Sequence, residues 1–261
     1  GNMASAIIGG ILSSGTFPVG DIYMYNPHAE KMQRFTESGC VACTSAEEDA
    51  ELCDTVFLCV KPQIFPEVLR VIAPTVAKKN ADDIVIVSIA AGVTFKNLQD
   101  AHGADRRYVR AMPNTPLLLG EGATALCRTS NVSEEDFARV RSAFSCCGVT
   151  QEIDEAQMNA VIAVSGSSPA YLYLLAKLTC DYAAQRGIDP KTALTLFCQT
   201  MKGSADMLLN SGKDPQALID MVTSKGGTTF ALLNVLKEQG FNEAMISSFE
   251  ACTHRAEELS M

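Results

Sequence analysis

Short apolar runs alternate with helical patterns over the first 153 residues of this 261-residue chain, and beyond Glu155 only helical patterns remain. Strand-like runs stand at 21–26, 55–60, 84–90, 108–112, 123–127 and 149–153. Helical patterns near 28–38, 63–73 and 133–146 separate them, the last opening with Ser133 and Asp136 at capping-box spacing. Parallel strands need a crossover over one face of their sheet, so this alternation calls for a largely parallel sheet covered on both sides. The remainder reads as helices over 156–187, 190–211, 215–223, 228–239 and 241–260. The expected class is α/β: a Rossmann-like doubly wound sheet over 1–153, then an all-helical dimerisation domain over 154–261.

The first residues fit the second half of a dinucleotide-binding fingerprint, Gly1-Asn2-Met3-Ala4, with Gly1 as its second glycine and Ala4 as its third small position. A sheet of this kind carries its first strand just before that turn, so roughly eight to ten further residues are expected ahead of Gly1. The ribose-reading position lies about 20 residues past the glycines. There the chain reads Tyr25-Asn26-Pro27-His28, with no acid until Glu30. A carboxylate would repel a 2′-phosphate, whereas the Asn26 amide can donate to one and Lys31 adds charge, which favours NADPH, with NADH the alternative. Asn-Pro is also ordinary turn chemistry.

Ligands of such sheets bind beyond the carboxyl ends of the strands. Three strand ends are distinctive there: Val60-Lys61-Pro62, Ala90-Ala91-Gly92 and Met112-Pro113-Asn114-Thr115-Pro116. Lys61 can meet cofactor phosphate or ribose, or be a solvated lysine. The small Ala90-Ala91-Gly92 run lets the nicotinamide half pass close, or is a turn. Asn114, held between prolines, can present its amide to the carboxamide, or cap a turn.

A second candidate site lies in Val222-Thr223-Ser224-Lys225-Gly226-Gly227-Thr228-Thr229, which runs into an apolar helical pattern. Paired glycines allow close approach of backbone to ligand, and a helix start offers unpaired N–H donors and the positive end of its dipole. The hydroxyls of Thr223, Ser224, Thr228 and Thr229 add donors. A small anion suits such a loop; an ordinary capped helix start is the alternative.

Composition narrows the classes. The net charge of −9 argues against nucleic-acid binding, which needs a basic surface. No run reaches about 18 consecutive apolar residues, so no membrane span is expected. The chain has ten cysteines and three histidines, but only Cys40-x-x-Cys43 has ligand-like spacing and no second pair accompanies it. No metal site is expected, and a reducing cytoplasm is the simplest location. In the helical half, Ser165-Gly166-Ser167-Ser168-Pro169-Ala170-Tyr171 breaks the pattern with a proline, implying a kink or a fresh helix start. Leu194, Leu196, Phe197, Met207, Leu208 and Leu209 carry more apolar surface than so short a segment buries alone, so a subunit interface is expected.

Taken in order, Gly1-Asn2-Met3-Ala4, Val60-Lys61-Pro62, Ala90-Ala91-Gly92, Met112-Pro113-Asn114-Thr115-Pro116, Ser165 to Tyr171 and Thr223 to Thr229 resemble the motifs of pyrroline-5-carboxylate reductase across essentially the whole chain. Ser168 departs from the pattern, standing where a second glycine is usual. The resemblance implies NAD(P)H-dependent reduction of a cyclic imine, 1-pyrroline-5-carboxylate, in the last step of proline synthesis. It also implies a homodimer, assembled into decamers in some members. By position it places Ser224, Gly226, Gly227, Thr228 and Thr229 around the substrate carboxylate, with Thr229 beside the imine nitrogen. Asn26 falls near the adenosine 2′-phosphate, and Lys61, Ala91 and Asn114 fall in cofactor loops. Two other readings remain: a β-hydroxyacid-dehydrogenase-like or other imine reductase, and a regulatory protein that binds NADPH without turnover.

Overall fold

The computed structural model describes residues 1–260. The chain divides into two compact units: Gly1–Ser167 together with the C-terminal return from Ala251, and Ser168–Glu250. In the first, α1 (Asn2–Ser14) leads to β1 (Tyr23–Met24), α2 (Gln33–Thr36), β2 (Val41–Ala42) and α3 (Ala46–Leu52). Then follow β3 (Thr55–Leu58), α4 (Phe65–Lys78), β4 (Val85–Ser88), α5 (Phe95–His102), β5 (Arg107–Met112), β6 (Gly122–Arg128), α6 (Glu134–Ser145) and β7 (Gly148–Glu152). Strands β3 to β7 lie in chain order in one sheet, while β1 and β2 pair in a separate two-stranded sheet. All pairings are parallel except β5 with β6.

The pleat sorts the core into two halves. Val85 and Val87 of β4, with Val109 and Ala111 of β5, face Ala6, Ile7 and Ile11 of α1 and Phe137, Val140 and Phe144 of α6. Ile86, Tyr108 and Met112 point the other way, among Leu69, Ile72 and Val76 of α4 and Leu98 of α5. Successive strand residues alternate faces, so a central strand buried on both sides must be apolar at every position but its end. β4, Val-Ile-Val-Ser, obeys this and closes on the buried Ser88.

All six strand-like runs of the sequence form strands, each near its expected place, although the first shrinks to Tyr23–Met24. The helix expected over 28–38 is instead a 3-10 turn, Ala29–Lys31, followed by the four-residue α2. Gly39, at a φ of 103°, then reverses the chain. The short elements β2, α3 and α5 lack a clear apolar period and were not legible. At 133 the expected cap is present: the Ser133 hydroxyl accepts from the Asp136 N–H at 3.1 Å.

Beyond the sheet, α7 (Met158–Val161) passes into a π-helical turn, Ile162–Gly166, closed by Ser167 N–H donating to Ile162 O at 2.7 Å. α8 (Ser168–Gln185) starts afresh there with Pro169 in its first turn, as proline requires. The second unit contains α8, then α9 (Pro190–Asn210), α10 (Pro215–Val222), α11 (Thr228–Glu238) and the opening turns of α12 (Phe241–Glu258). It buries only Pro169, Ala176, Ala183 and Ala193. Leu196 and Leu209 remain 63% and 81% exposed, so the apolar excess expected from the sequence is left uncovered by the chain itself.

Candidate active site

Strands β3, β4 and β5 run parallel with Leu58, Ser88 and Arg110 in register, so their carboxyl ends lie at one edge of the sheet. All three distinctive loops leave from that edge. Lys61 precedes the 3-10 turn Pro62–Ile64 and is exposed, while Val60 packs on the core. In the next loop Ala90 is buried, Ala91 half-buried and Gly92 at a φ of 79°. The buried Ser88 hydroxyl accepts from Ala90 N–H at 3.3 Å. Glu155 braces the far side: its Oε1 accepts from Phe95 N–H at 2.6 Å and from Arg110 Nη1 at 3.0 Å. Sequence reasoning missed both supports, although a serine closing an otherwise apolar strand was a visible signal.

Asn114 is 8% exposed, and its amide is committed to backbone. Nδ2 donates to Ser165 O at 3.1 Å, and Oδ1 accepts from Ala123 N–H at 2.9 Å. It therefore ties the end of β5 to the start of β6 and to the π turn.

The start of α1 joins the same edge. Met3 packs in one cluster with Cys59, just beyond β3, and Ile89, just beyond β4. Burial pushes the Cys59 thiol up to about 12. Gly1 stands at the N-cap of α1 and no side chain caps it, so the first N–H groups of Asn2, Met3 and Ala4 are left for another acceptor. A dinucleotide phosphate fits such a start, and no Cβ intrudes at Gly1. Asn26 lies just past β1; its Oδ1 accepts from His28 N–H at 3.0 Å, an Asx turn. No described residue engages its Nδ2, and Lys31 is exposed in the following turn.

The glycine loop belongs to the second unit. α10 ends with Thr223 Oγ1 donating to Ile219 O at 2.7 Å. Ser224-Lys225-Gly226-Gly227 then forms a tight turn, closed by Gly227 N–H donating to Ser224 O at 2.9 Å. Gly226 takes the left-handed φ of 75° that this turn needs at its third position. At Gly227 a Cβ would come 2.6 Å from Ser224 Oγ. α11 starts immediately afterwards without a side-chain cap. By contrast, Asp189 caps α9 by accepting from Thr192 N–H at 2.9 Å, and Asp214 caps α10 by accepting from Ala217 N–H at 2.8 Å. The hydroxyls of Ser224, Thr228 and Thr229 bond to nothing among the described residues. The start of α11 is therefore without a side-chain cap: the Gly227 N–H is taken by the turn, while the first N–H groups of the helix and the three hydroxyls are left to bind a small anion.

The sequence model described as pyrroline-5-carboxylate reductase dimerisation matches residues 155–259, and one described as NADP oxidoreductase, coenzyme F420-dependent, matches residues 1–92. The pyrroline-5-carboxylate reductase of Escherichia coli is 41% identical over the whole chain, which covers 96% of that relative. This chain belongs to the pyrroline-5-carboxylate reductase family. The Arabidopsis thaliana reductase is 33% identical, again over the whole chain and 93% of its own length. Among solved structures, the Plasmodium falciparum pyrroline carboxylate reductase with NADP bound superposes with a TM-score of 0.90 at 30% identity, covering 100% of this chain and 95% of the other. The Coxiella burnetii reductase gives the same TM-score at 32% identity, covering 100% and 96%. An N-terminal Rossmann-like NADP-binding half and a helical dimerisation half, as the sequence implied, are the architecture of this family.

Proposed function

We propose that this chain reduces 1-pyrroline-5-carboxylate to L-proline with NADPH, as the last step of proline biosynthesis. The observation that carries the reading is the uncapped start of α11, with its double-glycine turn and unbonded hydroxyls. Ser224, Gly226, Gly227 and Thr228 hold the substrate carboxylate through N–H groups and hydroxyls, fixing one end of the ring. Thr229 donates its hydroxyl hydrogen bond to the imine nitrogen, which makes the adjacent carbon a better hydride acceptor, and water restores the proton. Bound NADPH supplies the hydride. Gly1, Asn2, Met3 and Ala4 take its pyrophosphate and Asn26 its 2′-phosphate. The loops Val60-Lys61-Pro62 and Ala90-Ala91-Gly92 line the ribose and nicotinamide, with Asn114 fixing the third strand end; NADH is the weaker donor.

The functional division is a cofactor domain over 1–153 and a substrate-binding and dimerisation domain over 154–261. The exposed apolar faces of the second unit fit a homodimer, assembled further into a decamer, in the cytoplasm. The run Glu155–Gln185 is apolar and long enough to cross a membrane by length and composition. Its π turn and the Lys177–Asp181 ion pair, at 2.6 Å, fit a subunit contact better than a lipid-facing span, so no membrane and no nucleic acid enter the reading. The same pair counts against a β-hydroxyacid-dehydrogenase-like lysine: Lys177 is exposed and held by a neighbour on its own helix.

The deciding experiment follows loss of NADPH absorbance with pyrroline-5-carboxylate, repeated with NADH. Substrate-dependent oxidation, faster with NADPH, is expected. NADPH binding without turnover would replace this reading with the regulatory one.

A further inference from the structure

The C-terminal return packs on the Ala90-Ala91-Gly92 loop, and nothing in the proposed chemistry uses it. Val93 N–H donates to Ala90 O at 3.4 Å, which makes residues 90–93 a four-residue turn with Gly92 third, at a φ of 79°. Gly92 is also in close contact with the chain end: a Cβ there would stand 2.8 Å from Leu259 Cβ and 2.9 Å from its carbonyl carbon and oxygen. The contact is made by backbone and Cβ, and the outer part of the Leu259 side chain is left partly in solvent.

Three further contacts hold the return in place. Ala256 lies in the same buried cluster as Ala90 and Val93, and Cys252 packs against it with Ala91. Ser260 Oγ donates to Ala256 O at 2.8 Å and accepts from Asn159 Nδ2 at 3.4 Å. Cys252 Sγ meets Ser167 Oγ at 3.5 Å. Ser88 holds the loop at Ala90, Glu155 holds the chain just beyond it at Phe95, and the return packs on Gly92 between them.

We propose that Leu259 is a positioning residue which holds the Ala90-Ala91-Gly92 turn in the shape that receives NADPH. This rests on the reading of that turn as a cofactor loop. A turn at a sheet edge samples several shapes when unsupported, and only the fraction in the competent shape binds. Leu259 raises that fraction by its close contact with Gly92, the left-handed residue of the turn.

The test is a double-mutant cycle on the full chain with Gly92→Ala, Leu259→Gly and the pair, read as the NADPH dissociation constant in fluorescence titrations without substrate. Gly92→Ala is expected to weaken binding about tenfold and Leu259→Gly about threefold, with the pair no weaker than Gly92→Ala alone, because both act through one contact. The KM for pyrroline-5-carboxylate should stay close to the parent value in all three variants, whereas the melting temperature should hold in Leu259→Gly and fall in Gly92→Ala, whose Cβ is strained at that φ. If Gly92→Ala fails to fold, Leu259→Gly decides alone. Multiplying penalties, an unchanged dissociation constant in Leu259→Gly, or a parallel rise in substrate KM would each overturn the proposal. Ala91→Val separates the two layers of the argument. If it leaves NADPH binding intact, the cofactor reading of the loop falls and the proposal with it. If Ala91→Val weakens binding while Leu259→Gly does not, only the role of Leu259 falls.

Discussion

Thr229 is the second residue of α11, half-buried, with a hydroxyl that no described residue engages. Being only half-buried, that hydroxyl stays open to solvent or to a ligand at the helix start. Thr229→Val keeps the shape and removes the donor. The expected outcome is a fall in kcat/KM of roughly 10- to 1,000-fold, as for loss of one or two oriented hydrogen bonds to the reacting atoms. Steady-state kinetics near the parent values would remove Thr229 from the chemistry. His102 makes a different residue-scale case, one of stability. Both ring nitrogens are buried without partners, and burial, helped by Arg106, lowers its pKa from 6.5 to about 4. The folded pKa lies below the unfolded one, so as pH falls the unfolded chain takes up the proton first. The stability present above about 6.5 is therefore lost progressively as pH falls towards about 4. His102→Phe should narrow the gap between melting temperatures at neutral and mildly acid pH; an unchanged gap would mean that other groups set the acid limit.

At the scale of elements, the glycine loop proposed to hold the substrate acts as a unit, because its turn shape and its helix start depend on each other. Gly226 supplies the left-handed φ, and the absence of a Cβ at Gly227 leaves room for Ser224 Oγ. Gly227→Ala would push that hydroxyl away from the helix start, so the KM for pyrroline-5-carboxylate should rise about tenfold while the NADPH dissociation constant holds. Equal losses in both would show that the change had spread beyond the loop. This loop was legible in the sequence because its glycines and hydroxyls are contiguous, and the strand ends were legible because each follows an apolar run. The supports were not. Glu155 and Leu259 reach that sheet edge from distant parts of the chain, and no local period announces a contact between residues 92 and 259; Ser88, two residues before Ala90, showed only as a serine closing an apolar strand. Likewise β2, at two residues, is too short to show an alternation, and α5 is fixed by its Thr94–Asn97 cap and Glu155 more than by an apolar stripe. Asn114 was visible as a residue held between prolines, but its commitment to Ser165 and Ala123 depends on the fold.

For the molecule as a whole, the two units are unequal in what they bury. The first has a sheet with a dry core on both faces, whereas the second places Ala176, Ala183 and Ala193 in its interior and leaves leucines along α8 and α9 in solvent. Helices owe most of their stability to packing of an apolar face, so a unit with so small an interior is where the proposed homodimer would complete its core. Folding and association should then be one transition, and the melting temperature should depend on protein concentration. For a dimer of this length unfolding to separate chains, a hundredfold rise in concentration adds about RT ln 100, or about 3 kcal/mol near 60 °C. Divided by an unfolding entropy of about 1.1 kcal/mol/K for two such chains, that is a shift of about 3 °C. Calorimetry at two concentrations measures it, with sedimentation alongside to report the species present. A melting temperature that does not move, with monomers in the centrifuge, would mean that α8 and α9 hold together alone and that their exposed leucines serve some other contact.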